Sequence, residues 1–281
     1  TMFQPGLWSD DKKLLEVDRN YYGVLRVYSK ENTNFFYHGT TIHGAQIQIP
    51  DQKFTPVTYY SKGGRASDIF AITNSLKTQK VAALGLGVGS ITCYKNKDRS
   101  FDFYEIDPDV IRIAEDRRYF SYLSDCGSPY KTIVGDARLK IQDVADGYYD
   151  LFFIDTFSAD NIPVHIMTKE AFVLYLQKLA PNGIISMNIS NRYFDLRPVL
   201  NAIAKDLGLT IYFKVHVPEQ DGSLASQLYT TSIFAVMSLN PLSVAPFAED
   251  YGWQIWPSSE KQVKPWTDDY ANILGALAKT Q

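Results

Sequence analysis

The chain changes rhythm near residue 62. Before it, residues 12–17, 21–28, 34–38 and 45–49 interleave aromatic and β-branched side chains with polar ones, punctuated by Asp18-Arg19-Asn20, Lys30-Glu31-Asn32, Gly39 and Gly44. That pattern predicts a small antiparallel β module over residues 1–61. After it, apolar runs alternate with helical periodicity: helices over 66–76, 108–116 and 169–179, a helix opening at 90–94, and strands over 80–84, 100–105, 131–134, 150–154 and 183–188. Such alternation from 62 to 281 predicts a Rossmann-like α/β domain on a doubly wound parallel sheet. Two later β runs, 209–216 and 231–238, predict an antiparallel hairpin at one edge of that sheet.

Composition narrows the class. With 281 residues, 45% of them hydrophobic, the chain is long enough to bury roughly three quarters of its unfolded surface. No apolar run reaches the ~18 residues of a membrane helix and no basic-then-apolar leader is present, so a cytoplasmic location is expected. Two cysteines, Cys93 and Cys126, are too few for a disulfide framework and suit a reducing compartment. His38, His43, His165 and His216 are too dispersed for a zinc motif, and no metal is expected. A net charge of -3, with no clustered run among 28 basic residues, argues against nucleic acid and is compatible with a cationic substrate.

Chemistry enters at Gly85-Leu86-Gly87-Val88-Gly89, which follows the apolar strand 80–84. Glycines there permit a tight turn and let a ligand lie against backbone amides. A dinucleotide fingerprint wants a third glycine where Ser90 stands, so a pyrophosphate-binding loop is the weaker reading and an adenosyl-sulfonium loop the stronger. Glu105 falls twenty residues after Gly85 at a strand end, close to the ~20-residue offset from which a carboxylate reaches ribose hydroxyls. Asp136, after the next strand, either accepts from the adenine amine or caps the helix that follows. Asp155 ends the apolar run 151–154, where a partly desolvated carboxylate attracts both a sulfonium and an amine. Freeing an alkylammonium lone pair at neutral pH costs about 4–5 kcal/mol, and a nearby carboxylate takes that proton as the amine attacks without erasing the whole cost. His38 and His43 lie in the β module, where a neutral imidazole near the reacting amine passes protons or, more commonly, binds loop backbone. Asp268 and Asp269 beside Trp266 read best as the N-cap of a helix over 270–277.

Taken together, Gly85 to Gly89, Tyr104-Glu105-Ile106-Asp107, Gly135-Asp136-Ala137 and Asp155 resemble the spermidine and spermine synthase family of aminopropyltransferases. The likeness extends from about residue 20 to 275 and is stronger still to spermidine-synthase-like domains fused to membrane segments in bacteria. It rests also on His38-Gly39-Thr40-Thr41-Ile42-His43-Gly44-Ala45-Gln46, Thr58-Tyr59-Tyr60, Ile189-Ser190-Asn191-Arg192-Tyr193 and Trp266-Thr267-Asp268-Asp269-Tyr270. The resemblance implies an antiparallel β domain before a methyltransferase-type Rossmann sheet. It implies transfer of an aminopropyl group from decarboxylated S-adenosylmethionine to an amine such as putrescine, with no prosthetic group, in a homodimer. By the same resemblance Gln46, Gly85, Gly87, Gly89, Glu105, Ile106, Asp136 and Ala137 hold the donor, and Tyr59, Tyr60, Asp155 and Asp160 serve the acceptor and the chemistry, with Asp155 as proton acceptor.

Two departures qualify this. The family carries Asp in the glycine loop to hold the donor's terminal amine, and here Val88 stands there; its second acceptor-side Asp is here Ser158, with Asp160 two residues on. Val88 makes intact S-adenosylmethionine more admissible. The alternatives are therefore a methyltransferase acting on a small nucleophile, or a nucleoside-binding sensor domain without turnover.

Overall fold

The computed structural model describes residues 12–77, 79–96, 98–156, 163–257, 260 and 262–278. Four strands, β1 (Lys13–Asn20), β2 (Gly23–Lys30), β3 (Thr33–His38) and β4 (Thr41–Ile47), pair antiparallel in sequence order, as the early rhythm predicts. Helix α1 (Arg65–Ser75) leads into a seven-stranded sheet of order β10-β11-β9-β8-β5-β6-β7. Its members are β5 (Lys80–Leu84), β6 (Ser100–Glu105), β7 (Tyr130–Val134), β8 (Tyr149–Ile154), β9 (Leu179–Asn188), β10 (Thr210–His216) and β11 (Ser232–Ser238). The run β9-β8-β5-β6-β7 is parallel, whereas β11 pairs antiparallel with both β9 and β10. The antiparallel edge lies where the sequence places it.

Parallel strands covered on both faces read as continuous apolar runs. β5 and β8 show this: Val81, Ala82, Ala83 and Leu84, and Leu151, Phe152, Phe153 and Ile154, are all buried. One face packs under α1, where Phe70 stacks on Phe153 and Tyr94. The other packs under α5 (Lys169–Lys178) and α6 (Arg197–Leu207), with Phe172, Tyr175 and Leu200 in the core. Helix α2 (Pro108–Glu115) starts with Asp107 as N-cap and Pro108 in its first turn, the favoured start for a proline. Helices α3 (Tyr122–Asp125), α4 (Ala137–Ile141), α7 (Leu224–Gln227) and α8 (Pro241–Tyr251) complete the chain. Among the described residues no helix is long and apolar enough to cross a membrane.

Three sequence expectations need correction. The helix expected at 90–94 is a single 3₁₀ turn, Ser90–Cys93. It stops because Thr92 turns inward, its hydroxyl donating to Gly89 O and Tyr122 O, and because Cys93 is drawn to Cys126. The two cysteines are therefore not free thiols: they form a disulfide across a separation of 33 residues with Cα atoms 4.9 Å apart. Such a link restricts the unfolded chain by roughly 3–4 kcal/mol in the loop-entropy account. The helix expected over 270–277 is only a 3₁₀ turn, Leu274–Ala276, and Asp268 does not cap it. Asp268 instead receives two hydrogen bonds from Arg138, at 2.7 and 2.6 Å, and one from Thr168, pinning the tail to α4 and α5.

Candidate functional site

The parallel strands end flush. Gly85 N donates to Tyr104 O, Asp155 N to Leu84 O and Gly135 N to Glu105 O, all at 2.8–2.9 Å. The residues after β5, β6, β7 and β8 thus emerge side by side where the sheet reverses its order around β5, the place where ligands bind in open α/β sheets. A cavity of about 170 Å³ opens there, floored by Gly85, Gly87, Glu105, Ile106, Asp136 and Ala137 and roofed by Tyr22, Phe36, His38 and His43 of the β module. A second cavity of about 60 Å³ adjoins it, walled by Thr41, Tyr59, Tyr60, Asn188 and Ser190. His43, Gly87 and Asp155 line both.

The glycine loop owes its composition to chain packing as well as to ligand access. Gly85 has φ +90°, and a Cβ there would fall on the carbonyl oxygen of Asp155. At Gly87 a Cβ would lie 2.7 Å from His43 O, and at Gly89 2.6 Å from Leu123 Cγ. Strand β4 consequently rests directly on the loop, and α3 supports it from below. Val88 is buried under Gly44, whose own added Cβ would meet Val88 Cγ1 at 2.9 Å.

Glu105 accepts from Leu86 N at 3.0 Å through one oxygen and from Asp107 N at 3.1 Å through the other. Burial pushes its pKa up, and the two amide hydrogen bonds oppose that rise. A carboxylate so fixed at the cavity floor accepts further hydrogen bonds from vicinal hydroxyls without reorganising. Asp136 caps α4, accepting from Leu139 N at 3.0 Å, while its other oxygen lies 3.0 Å from His165 Nε2. Both it and His165 reach the cavity wall, so the capping role holds and is compatible with a ligand role.

Asp155 sits where the cavities meet. Tyr60 OH donates to its Oδ2, and Asn188 Nδ2 donates to the same oxygen at 3.0 Å. No hydrogen bond to Oδ1 is made among the described residues. Burial raises the Asp155 pKa, and the Tyr60 and Asn188 hydrogen bonds pull it back. Tyr60 is held in turn through its backbone, whose carbonyl accepts from Tyr94 OH at 2.5 Å. Its own phenol is pushed well above its ordinary pKa, chiefly by burial and then by the Asp155 charge, so it stays a donor.

A pH dependence follows from these hydrogen bonds. Because Asp155 is raised, its base form is lost as pH falls through a value above that of an ordinary Asp. Tyr60→Phe removes a bond that favours the carboxylate and raises the pKa further. With a hydrogen bond to a charged group worth ~1.5–3 kcal/mol, we expect turnover to fall by about tenfold on the acid limb of the profile and by about twofold or less on its alkaline side. A pH–rate profile of the variant checks this; an equal loss at both ends would detach Tyr60 from the ionisation of Asp155.

Not every residue expected from the sequence converges here. Gln46 is not in the cavity: its side chain shares the face of β4 that carries Gly44, and its amide donates to Lys53 O and Ser121 Oγ while accepting from Ser121 N at 2.8 Å. It joins the β module to the start of α3. Asp160 and Ser158 lie outside the described residues. Gly89 shapes the loop without lining either cavity. Asn188 was not singled out from the sequence, yet it ends the parallel strand beside β8, and the register Ile154↔Met187 puts it next to Asp155. The strand-end rule that found Asp155 finds Asn188 as well.

Comparison with known proteins agrees with this fold. No family model matches the chain. A stretch of 117 residues is 32% identical to the polyamine aminopropyltransferase of Vibrio vulnificus (strain CMCP6), covering 40% of this chain and 38% of that protein. Among solved structures, a probable spermidine synthase from Corynebacterium glutamicum superposes with a TM-score of 0.64 at 12% identity, over 92% of this chain and 98% of the other. Spermidine synthase from Thermotoga maritima superposes with a TM-score of 0.56 at 11% identity, over 95% of this chain and 84% of the other.

Proposed function

We propose that this relative of the spermidine synthase family transfers the aminopropyl group of decarboxylated S-adenosylmethionine to a small amine such as putrescine, releasing methylthioadenosine. The observation that carries the reading is Asp155 in the wall common to a nucleoside-sized cavity and a smaller one lined by Tyr59, Tyr60 and Asn188. In this reading Glu105 accepts from the ribose hydroxyls, Asp136 and Ala137 meet the adenine, and Gly85 and Gly87 line the nucleoside. The acceptor nitrogen enters from the smaller cavity. Its lone pair attacks the propyl carbon bound to the sulfonium, the C–S bond breaks with its electrons going to sulfur, and the nitrogen's proton passes to Asp155 Oδ1. The fixed Oδ2, held by Tyr60 and Asn188, keeps the free oxygen aimed between the cavities. Positioned proton transfer of this kind contributes ~10²–10⁴-fold.

A specific observation favours a second reading, methyl transfer from intact S-adenosylmethionine: Val88 leaves no carboxylate in the glycine loop to repel the donor's own. Calorimetric titration with methylthioadenosine and both donors, followed by a methylthioadenosine-release assay with putrescine, separates the two. Binding of the decarboxylated donor at least about tenfold tighter than the intact one, a gap of ~1.4 kcal/mol, is expected. Preference for the intact donor would move the reading to methyl transfer, and binding without product to a sensor. The Cys93–Cys126 disulfide supports an oxidising setting in place of the cytoplasm expected from the sequence, because persistent disulfides are rare in reducing compartments.

A further inference from the structure

We propose that His43 is the specificity-determining contact for the head group of the sulfonium donor, replacing the loop carboxylate that Val88 displaces. The inference deepens the proposed function and rests on its assignment of the larger cavity to an adenosyl donor. His43 and Asp155 are the two residues with polar side chains common to both cavities among the described residues. A donor whose adenosine lies over Gly85 and Glu105 must send its sulfur substituents past this junction.

Val88 cannot serve there. Its side chain is buried beneath Gly44 and lines neither cavity. The residue before Gly44 is His43, whose carbonyl lies against Gly87 and which lines both cavities. Phe36 and His38 flank its ring, with centroids 6.3 and 5.5 Å away.

The two histidines of the roof differ in a telling way. His38 Nε2 lies 2.7 Å from Tyr22 O, a bond that requires its N–H form and satisfies it within the protein. His43 Nε2 is closed to solvent and has no hydrogen-bond partner among the described residues. Buried polar groups are normally paired, and a small turn of the ring would bring this unpartnered nitrogen to a head group at the junction of the cavities. Burial, and then the neighbouring His38, lower the His43 pKa to about 3, so the ring is neutral. A neutral imidazole does not repel a sulfonium, and it offers one acceptor to an ammonium and one donor to a carboxylate.

The test compares ligands that differ only beyond the sulfur. Methylthioadenosine has no aminopropyl or aminocarboxypropyl head group, while the two sulfonium donors do. Titrating wild type, His43→Ala and His43→Gln with all three, we expect His43→Ala to weaken the preferred donor at least about tenfold, as loss of a charge-assisted hydrogen bond implies. Methylthioadenosine should bind within about twofold of wild type, which also certifies the fold, and His43→Gln should recover much of the loss because its amide both donates and accepts. Equal weakening of all three ligands would reduce His43 to packing and overturn the proposal, as would no weakening at all. Wild type binding neither sulfonium more tightly than methylthioadenosine would also overturn it. Which donor the wild type prefers decides between aminopropyl and methyl transfer separately, since the His43→Ala difference is read on whichever donor wins.

Discussion

Asp155→Asn should abolish most turnover while leaving the fold intact or slightly more stable. Both donors to Asp155 address Oδ2, so an asparagine carbonyl oxygen placed there keeps the bonds from Tyr60 and Asn188. What changes is the other atom, an oxygen lone pair replaced by an amide that accepts no proton. We expect kcat to fall about 10²–10³-fold, the scale of a lost positioned base. Affinity for uncharged methylthioadenosine should remain within about threefold, because the substitution leaves the Glu105 and Asp136 side of the cavity untouched, whereas a sulfonium donor should lose more, since a buried carboxylate beside it is little screened. The stability sign follows from the raised pKa. A carboxyl whose folded pKa lies above its unfolded value contributes stability below the unfolded value and loses it as pH rises through the folded one. Wherever it is ionised, Asp155 therefore costs stability, and the neutral asparagine should leave Tm unchanged or raise it by a few degrees. Thermal unfolding beside a single-turnover assay checks both halves. Equal rates for variant and wild type would remove Asp155 from the chemistry, and a large fall in Tm would show that the carboxylate holds the strand ends together.

Much of this site was legible because its members lie at strand ends. Gly85 and Asp155 each follow an apolar run that could be read as a buried parallel strand, Glu105 ends the strand over 100–105 and Asp136 comes just after the edge strand over 130–134, and the topology brings those ends together. Gln46 failed for a reason local to its strand: alternation turns it to the side of Gly44, where a buried amide is satisfied by Ser121 before a ligand could use it. The disulfide was illegible because Cys93 and Cys126 are 33 residues apart and meet only after the glycine loop has turned and α3 has packed beneath it. Helix α8 had a readable start, Asn240 capping Leu242 N ahead of Pro241, but Pro246 within it hides the continuation. Helix α6 likewise carries proline in its first turn, Pro198, and ends at Gly208 with φ +70°. The position of His43 depended on how a separate β module sits on the loop, and no periodicity within either segment encodes that.

Among the glycines compared in the described residues, Gly85→Ala should be the most damaging change to alanine, and for a reason the sequence alone misassigns. In sequence the glycine reads as room for a ligand, whereas in the fold its missing Cβ makes room for the carbonyl of Asp155. Two costs add: an L-residue held at φ +90°, worth ~1–2 kcal/mol, and the displacement of backbone at the end of β8, worth a further ~1–3 kcal/mol on the scale of overpacking. For a chain of this size that sum corresponds to a fall in Tm of about 10 °C. Because the atom pushed aside belongs to Asp155, turnover should fall with stability, even where calorimetry still registers methylthioadenosine. Gly147 supplies the control. It has φ +67° and nothing within 4 Å of an added Cβ, so Gly147→Ala carries the backbone cost alone, about 1–2 kcal/mol, with activity kept. The difference in Tm and kcat between the two variants isolates the crowding at Asp155. If Gly85→Ala instead matched Gly147→Ala in Tm and lost only donor affinity, the glycine would be there for the ligand's approach, and the strand-end packing would be incidental to it.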